Sequence, residues 1–233
     1  MCGRFTLTYP EIESLAEALG LAVDEIERPT EYRPRWNVAP TDPHYILRTK
    51  GEDLQLLRAK WGLVNSWAHD AKGAARAINA RAETIATRPA FRDAYANRRC
   101  IVPVDGFYEW RRSEKGKEPH WFHRPGGGPL LLAGLYESWQ PRPGEWERTF
   151  TIVTTSANEL VGTLHDRMPV LLDLDSASRW MFATTPRGSL DALLVPAPQS
   201  SLEMTAVSTL VNSVKNDDPS LLLPPAPAAL QLF

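Results

Sequence analysis

The sequence contains few cysteines: Cys2 and Cys100 are the only two among its 233 residues. Two cysteines do not make the disulfide framework of a small secreted domain, and no spacing of His, Cys and Asp resembles a metal site. We therefore expect a cytoplasmic protein of a reducing compartment that binds no metal and needs no cofactor. A chain of this length can bury a sizeable core without disulfides.

Long apolar runs are also lacking. No stretch approaches the roughly 20 apolar residues that span a bilayer, and the first residues lack the basic and then apolar pattern of a signal peptide. These two absences predict an intracellular protein with no membrane partner. A large excess of charge is missing as well, because the formal net charge is −2 at pH 7. Any binding of nucleic acid would therefore need a local basic patch.

The apolar pattern predicts an α+β fold. Helical spacing is clear over residues 10–20, whereas several segments between residues 44 and 206 alternate as strands do. Strands do not alternate regularly with long helices, which disfavours a doubly wound parallel sheet. We predict a single domain over residues 2–222 with a curved, mainly antiparallel, barrel-like sheet and flanking short helices. A Pro-rich, disordered tail is expected at residues 223–233, and the protein is expected to be a monomer.

A Pro-rich stretch, RPTEYRPRWNVAPTDP at residues 28–43, is expected to form no regular element. Each proline removes a backbone donor and restricts the residue before it. An irregular stretch of this length in a compact domain is usually either functional or disordered. Its arginines, with Trp36 and Asn37, favour a functional segment.

The chain begins with MCGRF. A start methionine is normally removed before a small residue, and its removal would give Cys2 a free α-amine beside its thiol. The pKa of an α-amine is about 7.7–8.0, so about a third of it is neutral and nucleophilic at pH 7.5. This amine can form a Schiff base with an aldehyde, and the tethered thiol can then close a five-membered thiazolidine ring. The alternative is that Cys2 is an incidental small residue.

A second candidate segment is ARAINARAET. Asn79, Arg81 and Glu83 lie at alternate positions, so a strand would present them on one face. An Asn–Arg pair on one face suits a phosphate or sugar oxygen. The alternative is a solvated surface strand.

The third and fourth segments carry a carboxyl group and an imidazole. Glu109 lies between Tyr108 and Trp110, and a partly desolvated carboxyl has a raised pKa and can move protons during Schiff-base formation. The alternative is an ordinary edge strand. His165 and Arg167 come directly before a strand that looks buried, at an element boundary where functional residues often lie. A lone histidine is nevertheless more often structural than catalytic.

One part of the chain is locally basic. From Arg76 to Lys117 there are ten Lys and Arg residues against five Asp and Glu residues. Tryptophans at 61, 67, 110 and 121 lie within or near this stretch. Basic and aromatic side chains together are typical of proteins that bind single-stranded nucleic acid, although many of these tryptophans could belong to the core.

The chain resembles the SRAP family of SOS-response-associated peptidases, or abasic site processing proteins. The resemblance runs from Cys2 to about Pro219. It rests on MCGRF, RWNVAPT, WGLVNSW, INARAET, CIVPVDGFYEW, LHDRMPV and VNSVKNDDP. Asn65 in WGLVNSW stands where the family usually has a proline, which puts the shape of that loop in doubt.

This resemblance implies a function in the response to DNA damage. SRAP proteins recognise abasic sites in single-stranded DNA, whose open sugar is an aldehyde, and the N-terminal cysteine forms a protective thiazolidine crosslink to it. The resemblance also implies an associated AP-lyase activity, removal of residues that precede the cysteine, and recruitment to nucleoid DNA after damage. Only Met1 precedes Cys2 here, so we treat the peptidase activity as secondary.

Site residues follow from matching positions. The resemblance makes Cys2 the nucleophile, Asn79 the residue that holds the abasic sugar and the cysteine, and Glu109 the acid/base. His165 resembles the residue that polarises the sugar hydroxyl and promotes crosslink reversal or strand scission. The expected DNA-binding residues are phosphate contacts (Arg4, Arg81, Arg167), a wedge (Pro40, Trp67) and three further contacts (Asn37, Trp110, Thr154).

Three other functions stay open. An N-terminal-nucleophile glutamine amidotransferase also begins Met-Cys-Gly, but usually carries a second synthetase domain. A non-enzymatic module for single-stranded DNA would leave Cys2 without a role. A cysteine peptidase would use Cys2, Glu109 and His165 to cleave a peptide placed before Cys2.

Overall fold

A computed structural model of the chain describes residues 2–21, 32–51, 53–114, 116–182 and 184–225. The predicted tail, apart from residues 223–225, lies outside the described residues. Strands dominate and the helices are short. The elements are β1 (Phe5–Leu7), α1 (Ile12–Ala18), β2 (Arg35–Val38), β3 (Pro43–Lys50), β4 (Asp53–Trp61), β5 (Asn79–Arg81), α2 (Arg92–Asn97), β6 (Arg99–Val104), β7 (Gly106–Ser113), β8 (Gly116–His123), β9 (Leu130–Arg142), β10 (Glu145–Ser156), α3 (Glu159–Gly162), β11 (Arg167–Pro169), β12 (Leu171–Leu172), α4 (Leu174–Met181), α5 (Arg187–Asp191) and β13 (Glu203–Ala206).

The centre of the fold is a closed five-stranded barrel. Its strands follow the order β10-β4-β3-β6-β9, and β9 closes the ring by pairing with β10. Two pairings, of β10 with β4 and with β5, are parallel, whereas the others are antiparallel. The α+β fold with a barrel-like, mainly antiparallel sheet is therefore confirmed.

Strand β4 shows how the barrel separates its two faces. Leu57, Ala59 and Trp61 are buried, whereas the alternating Arg58 and Lys60 reach the outer surface. Successive strand residues point to opposite faces, so this period of two places apolar side chains in the core and cations outside. One buried cluster joins the barrel to the second sheet, because Trp61 belongs to it together with residues of β1 and β7.

A second sheet of five strands follows the order β13-β8-β7-β1-β2. Phe5 of β1 lies opposite Phe107 on one side and Val38 on the other. This sheet therefore places the beginning of the chain between β7 and the Pro-rich stretch.

The prediction that residues 28–43 contain no regular element was wrong, because β2 forms within them. Two features permit this strand: Pro34 and Pro40 lie outside it, and β2 is at the edge of its sheet, where proline is tolerated. The backbone N–H groups of Trp36 and Asn37 donate to Oδ1 of Asp217 over 2.7 and 3.0 Å. A side chain from the end of the domain thus replaces a neighbouring strand.

Strand β8 was also missed, since Pro119 and several charged residues obscure its alternation. The helix expected within residues 10–20 forms as α1. Asn158 caps α3, because its Oδ1 accepts the Val161 N–H over 2.9 Å, and Asp173 caps α4. No helix in the described part of the chain is long and apolar enough to cross a membrane.

Candidate active site around Cys2

Cys2 is fully buried and lies three residues before the start of β1. Its backbone carbonyl oxygen accepts a hydrogen bond from Nδ2 of Asn79 over 2.9 Å. Burial, and then the negative charge of Glu109, raise the pKa of the thiol. The thiol is therefore protonated at neutral pH.

Asn79 reaches Cys2 because β5 pairs in parallel with β10, which places Asn79 opposite Ile152. The other side-chain atom, Oδ1, is buried and has no hydrogen-bond partner among the described residues. A buried acceptor without a partner is costly. It is suited to receive an N–H or O–H group from a bound molecule.

Glu109 lies on β7 and is only 5 % exposed. The register of β1 with β7, continued by the bond from the Tyr108 N–H to the Arg4 carbonyl over 2.9 Å, brings Gly3 opposite Glu109. Burial raises the pKa of Glu109 to about 7, and the nearby carboxylate of Asp166 acts in the same direction. The carboxyl can therefore both give and take a proton near neutral pH, as the sequence predicts for a desolvated acid.

His165 follows α3 and is half-buried. Its Nδ1 accepts the backbone N–H of Arg167 over 3.0 Å, and the carboxylate of Asp166 lies 3.0 Å from the same nitrogen. Burial lowers the pKa of His165 and outweighs the opposing effect of Asp166. The ring is therefore neutral at pH 7; the Arg167 N–H favours the tautomer with its proton on Nε2, whereas the Asp166 carboxylate favours the one with its proton on Nδ1.

Arg4 is held from three sides at the edge of this site. Its Nη1 donates to Oδ1 of Asn37 over 2.8 Å and to the carbonyl of Val211 over 2.9 Å, and its guanidinium lies 5.7 Å from the ring centre of Trp110. Asn37, a predicted DNA contact, is fully buried, so the structure places it beneath Arg4. Trp110, half-buried, donates from Nε1 to Asn212 over 2.6 Å.

Arg167 is buried, and its guanidinium is bonded to other groups of the chain. It forms a two-point ion pair with Glu83, and its Nη2 donates to the carbonyl of Thr154 over 2.6 Å. Thr154 is fully buried, whereas Arg81 is exposed on β5. The structure thus places Arg81 where a phosphate could reach it and places Arg167 and Thr154 beneath the surface beside His165.

The two predicted wedge residues lie on separate loops. Pro40 occupies a tight turn closed by the bond from the Asp42 N–H to the Ala39 carbonyl over 3.0 Å, and the next residue, Thr41, has a φ of 75°. That value is rare for a β-branched residue and indicates a strained turn. Trp67 is 68 % exposed on the loop of residues 62–74.

The loop of residues 62–74 is attached to the barrel by Trp139, whose Nε1 donates to the carbonyl of Ala68 over 2.7 Å. At its start Gly62 has a φ of 124°, and a Cβ there would lie 2.6 Å from the Ala74 carbonyl oxygen. The position therefore requires glycine. Trp139 therefore holds the backbone of this loop at the residue after Trp67.

Sequence reasoning missed the supporting residues Asp166, Asp217 and Trp139. The first two lie inside segments that carry the family resemblance, LHDRMPV and VNSVKNDDP, so a signal was present. Trp139 lies in none of the segments that carry the resemblance, so no signal in the sequence pointed to it. Within the described ranges, no three His, Cys, Asp or Glu side chains cluster closely enough to hold a metal ion.

Comparisons with known proteins agree on one family. Residues 1–214 match the model of the family described as SOS response associated peptidase (SRAP). The chain is 39 % identical over 224 residues to the abasic site processing protein YoqW of Bacillus subtilis (strain 168), covering 95 % of this chain and 99 % of the relative. It is 32 % identical over 230 residues to the abasic site processing protein HMCES of Gallus gallus, covering 84 % of this chain and 68 % of the relative.

The fold has a close match among solved structures. A protein from Bacteroides thetaiotaomicron, solved by X-ray crystallography, superposes with a TM-score of 0.83 over 96 % of this chain and 99 % of the other. Its sequence is 23 % identical, so this likeness supports the fold alone.

Proposed function

The chain belongs to the SOS response associated peptidase (SRAP) family, and we propose that it processes abasic sites in single-stranded DNA by forming a thiazolidine crosslink through Cys2. The relatives named abasic site processing proteins support the substrate. The chemistry is supported by the site itself.

One observation carries the proposal: a buried Cys2 lies with Asn79 and Glu109 in a site where the carboxyl has a pKa of about 7. The proposal requires removal of Met1, which gives Cys2 a free α-amine. An acid/base with a pKa near the working pH is the most effective proton carrier for reversible addition to an aldehyde.

The α-amine of Cys2 attacks first. Because the thiol is protonated at neutral pH, the neutral amine is the better nucleophile toward the open-chain aldehyde of the abasic sugar. In the tautomer that carries its proton on Nε2, His165 would assist ring opening by donating to the sugar oxygen. The buried Oδ1 of Asn79 accepts a hydrogen bond from the amine or from a sugar hydroxyl.

Glu109 supplies the proton needed for loss of water and takes one back when the ring closes. In its protonated form it gives a proton to the hydroxyl of the carbinolamine, which leaves as water and produces the iminium ion. The resulting carboxylate then takes the proton of the Cys2 thiol while sulfur bonds to the iminium carbon. The ring nitrogen becomes neutral, Glu109 is protonated again, and one water has been lost overall.

Exposed residues around this site would hold the strand. Arg81 would contact a phosphate, and Trp67 and Pro40 would stack beside the lesion. Arg4 would face the DNA with its orientation set by Asn37. Arg167 would contact a phosphate only if Glu83 were displaced from it, so its first role is to fix the segment that carries His165.

The two other enzymatic alternatives need a thiolate. A cysteine peptidase and an N-terminal glutamine amidotransferase both begin with attack by sulfur, and burial raises the pKa of the Cys2 thiol, which disfavours a thiolate as the first nucleophile. In the crosslink, sulfur attacks only second, on the iminium ion, as Glu109 takes its proton. A nucleophilic amine needs no thiolate. The site therefore favours imine chemistry, while the associated lyase and self-processing activities remain secondary proposals.

The test uses single-stranded DNA that carries one abasic site, followed by a denaturing gel and intact mass. We expect the wild-type protein to give a heat-stable adduct that is lighter by one water than the sum of protein and DNA. Cys2→Ala should give none, and neither should a variant with an extra residue before Cys2. No adduct from wild-type protein whose Met1 is shown to be absent overturns the proposal, as would measurable glutaminase activity without an adduct.

A further inference from the structure

A groove lies on the outside of the barrel, apart from the site around Cys2. Its volume is about 390 Å³, within the range of about 300–1,000 Å³ that is usual for ligand sites. Strands β4 and β10 form its floor, and the turn after Pro40 forms one end. Its lining includes Thr41, Arg58, Lys60, Trp146, Glu147 and Arg148.

Two strands bring the charged side chains together. Arg58 and Lys60 alternate on the outer face of β4, and Lys60 lies opposite Thr149 of β10, which brings Arg148 alongside. The lining therefore holds three cations against one carboxylate, Glu147, which pairs with Lys60 over 3.6 Å. The excess is positive although the whole chain is net negative.

An exposed aromatic side chain completes the groove. Trp146 is 67 % exposed at the beginning of β10, although a tryptophan usually buries most of its surface. Cations beside an exposed indole are the combination that holds single-stranded nucleic acid, through phosphate contacts and stacking of a base. Neither the barrel core nor the chemistry at Cys2 uses Trp146.

The groove borders the turn that carries Pro40 and is linked through one strand pair to the loop that carries Trp67. Thr41 lines it, directly follows Pro40, and donates its N–H to the carbonyl of Trp61 over 2.8 Å. On the other side, Glu147 lies opposite Trp139 in the ladder between β10 and β9, and Trp139 holds the loop that carries Trp67. A strand bent at the wedge would thus meet the groove next.

We propose that this groove is a second binding site for single-stranded DNA, which takes the strand flanking the lesion, with one base stacked on Trp146 and its phosphates near Arg58 and Arg148. The inference rests on the proposed function for the identity of the strand. The groove adds affinity for the strand and fixes the path of the strand, without taking part in the covalent step.

The test measures binding of undamaged single strands by fluorescence anisotropy, with one strand of about 16 nucleotides and one of about 4, the limits of common site sizes. Trp146→Ala should weaken binding of the long strand by about five-fold or more and leave the short strand unchanged, whereas Trp146→Phe should retain most of the affinity. Arg58→Ala with Arg148→Ala should lower the slope of log K against log salt by about 1.4. Arg179→Ala with Arg187→Ala, on α4 and α5, is the matched control.

The outcomes test binding in the groove independently of the crosslinking reaction at Cys2. If the groove variants bind the long strand as tightly as wild type, the groove proposal is wrong, whether or not wild type crosslinks. Weaker binding of the long strand supports the groove even if no adduct forms. Sedimentation that shows a dimer lost in Trp146→Ala would identify a second copy as the occupant and overturn the proposal.

Discussion

The side-chain amide of Asn79 donates a hydrogen bond to the backbone carbonyl of Cys2 over 2.9 Å, although 77 positions separate the two residues. Asn79 belongs to β5, the strand beside the barrel, and Cys2 precedes β1 of the second sheet. This bond therefore fixes the beginning of the chain against the barrel. It is the contact that keeps the proposed nucleophile in place.

Asn79→Ala should slow crosslinking more than it weakens DNA binding. It removes a hydrogen bond worth about 0.5–1.5 kcal/mol, as well as the buried acceptor Oδ1, so we expect the rate at saturating DNA to fall about tenfold. Single-turnover rates and anisotropy measure the two effects separately. Asn97→Ala, which removes an exposed asparagine on α2, is the control; an equal loss of rate there would contradict the role of Asn79.

Glu109→Gln should change the pH dependence of crosslinking. The protonated acid is needed for loss of water, and burial raises its pKa to about 7, so the wild-type rate should fall as pH rises above about 7. Glutamine keeps the shape and cannot titrate. We expect it to slow the reaction by about 100-fold and to abolish this limb of the rate profile. A glutamine variant with the same profile as wild type would exclude Glu109 as the acid.

The same substitution should stabilise the fold at alkaline pH. The folded pKa of about 7 lies above the ordinary value of 4.5, so the unfolded state loses its proton first as pH rises. Stability then declines between about pH 4.5 and 7, by on the order of 3 kcal/mol in total, and stays low above that range. Urea unfolding at pH 4 and pH 8 should show Glu109→Gln close to wild type at the lower pH and more stable at the higher. The reverse order would contradict a Glu109 carboxyl whose pKa burial raises.

Asn37→Ala should destabilise the protein and loosen Arg4. The Asn37 amide donates to the carbonyls of Ser213 and Asn216 over 3.0 and 2.8 Å, and its oxygen accepts from Arg4. Removing this buried group leaves several polar atoms unpaired, and we expect a loss of about 2–3 kcal/mol of unfolding free energy. Thermal denaturation and salt-dependent DNA binding measure the two effects. Stability equal to wild type would show that water replaces the amide.

Trp139→Phe should weaken DNA binding through the loop that carries Trp67. The substitution keeps an aromatic ring of smaller size and removes the hydrogen bond to the Ala68 carbonyl, so the affinity for abasic single strands should fall about two- to tenfold. The crosslinking rate at saturating DNA should stay the same. Trp180→Phe, which removes hydrogen bonds to the carbonyls of Cys100 and Gly134 in the core, should destabilise the fold without changing affinity. Equal effects on affinity would mean that Trp139 acts only through stability.

Local pattern was sufficient for much of the fold. The helical spacing of Ile12, Leu15 and Ala16 predicted α1, and alternation predicted the long strands. Strand β2 was not predictable from local pattern, because its N–H groups are satisfied by Asp217, about 180 residues later in the chain. The closure of the barrel by parallel pairing of β10 with β4 is non-local in the same way.

The candidate site, like the fold, could be predicted from the sequence only in part. The sequence by itself determined which groups are present: an amine and thiol at Cys2 once Met1 is removed, a carboxyl at Glu109 and an imidazole at His165. Only the tertiary structure decided that Asn79 holds Cys2, that Asn37 is buried and bonded to Arg4, and that burial raises the pKa of Glu109 to about 7. Contact and desolvation depend on every segment packed around a group, and those segments come from distant parts of the chain.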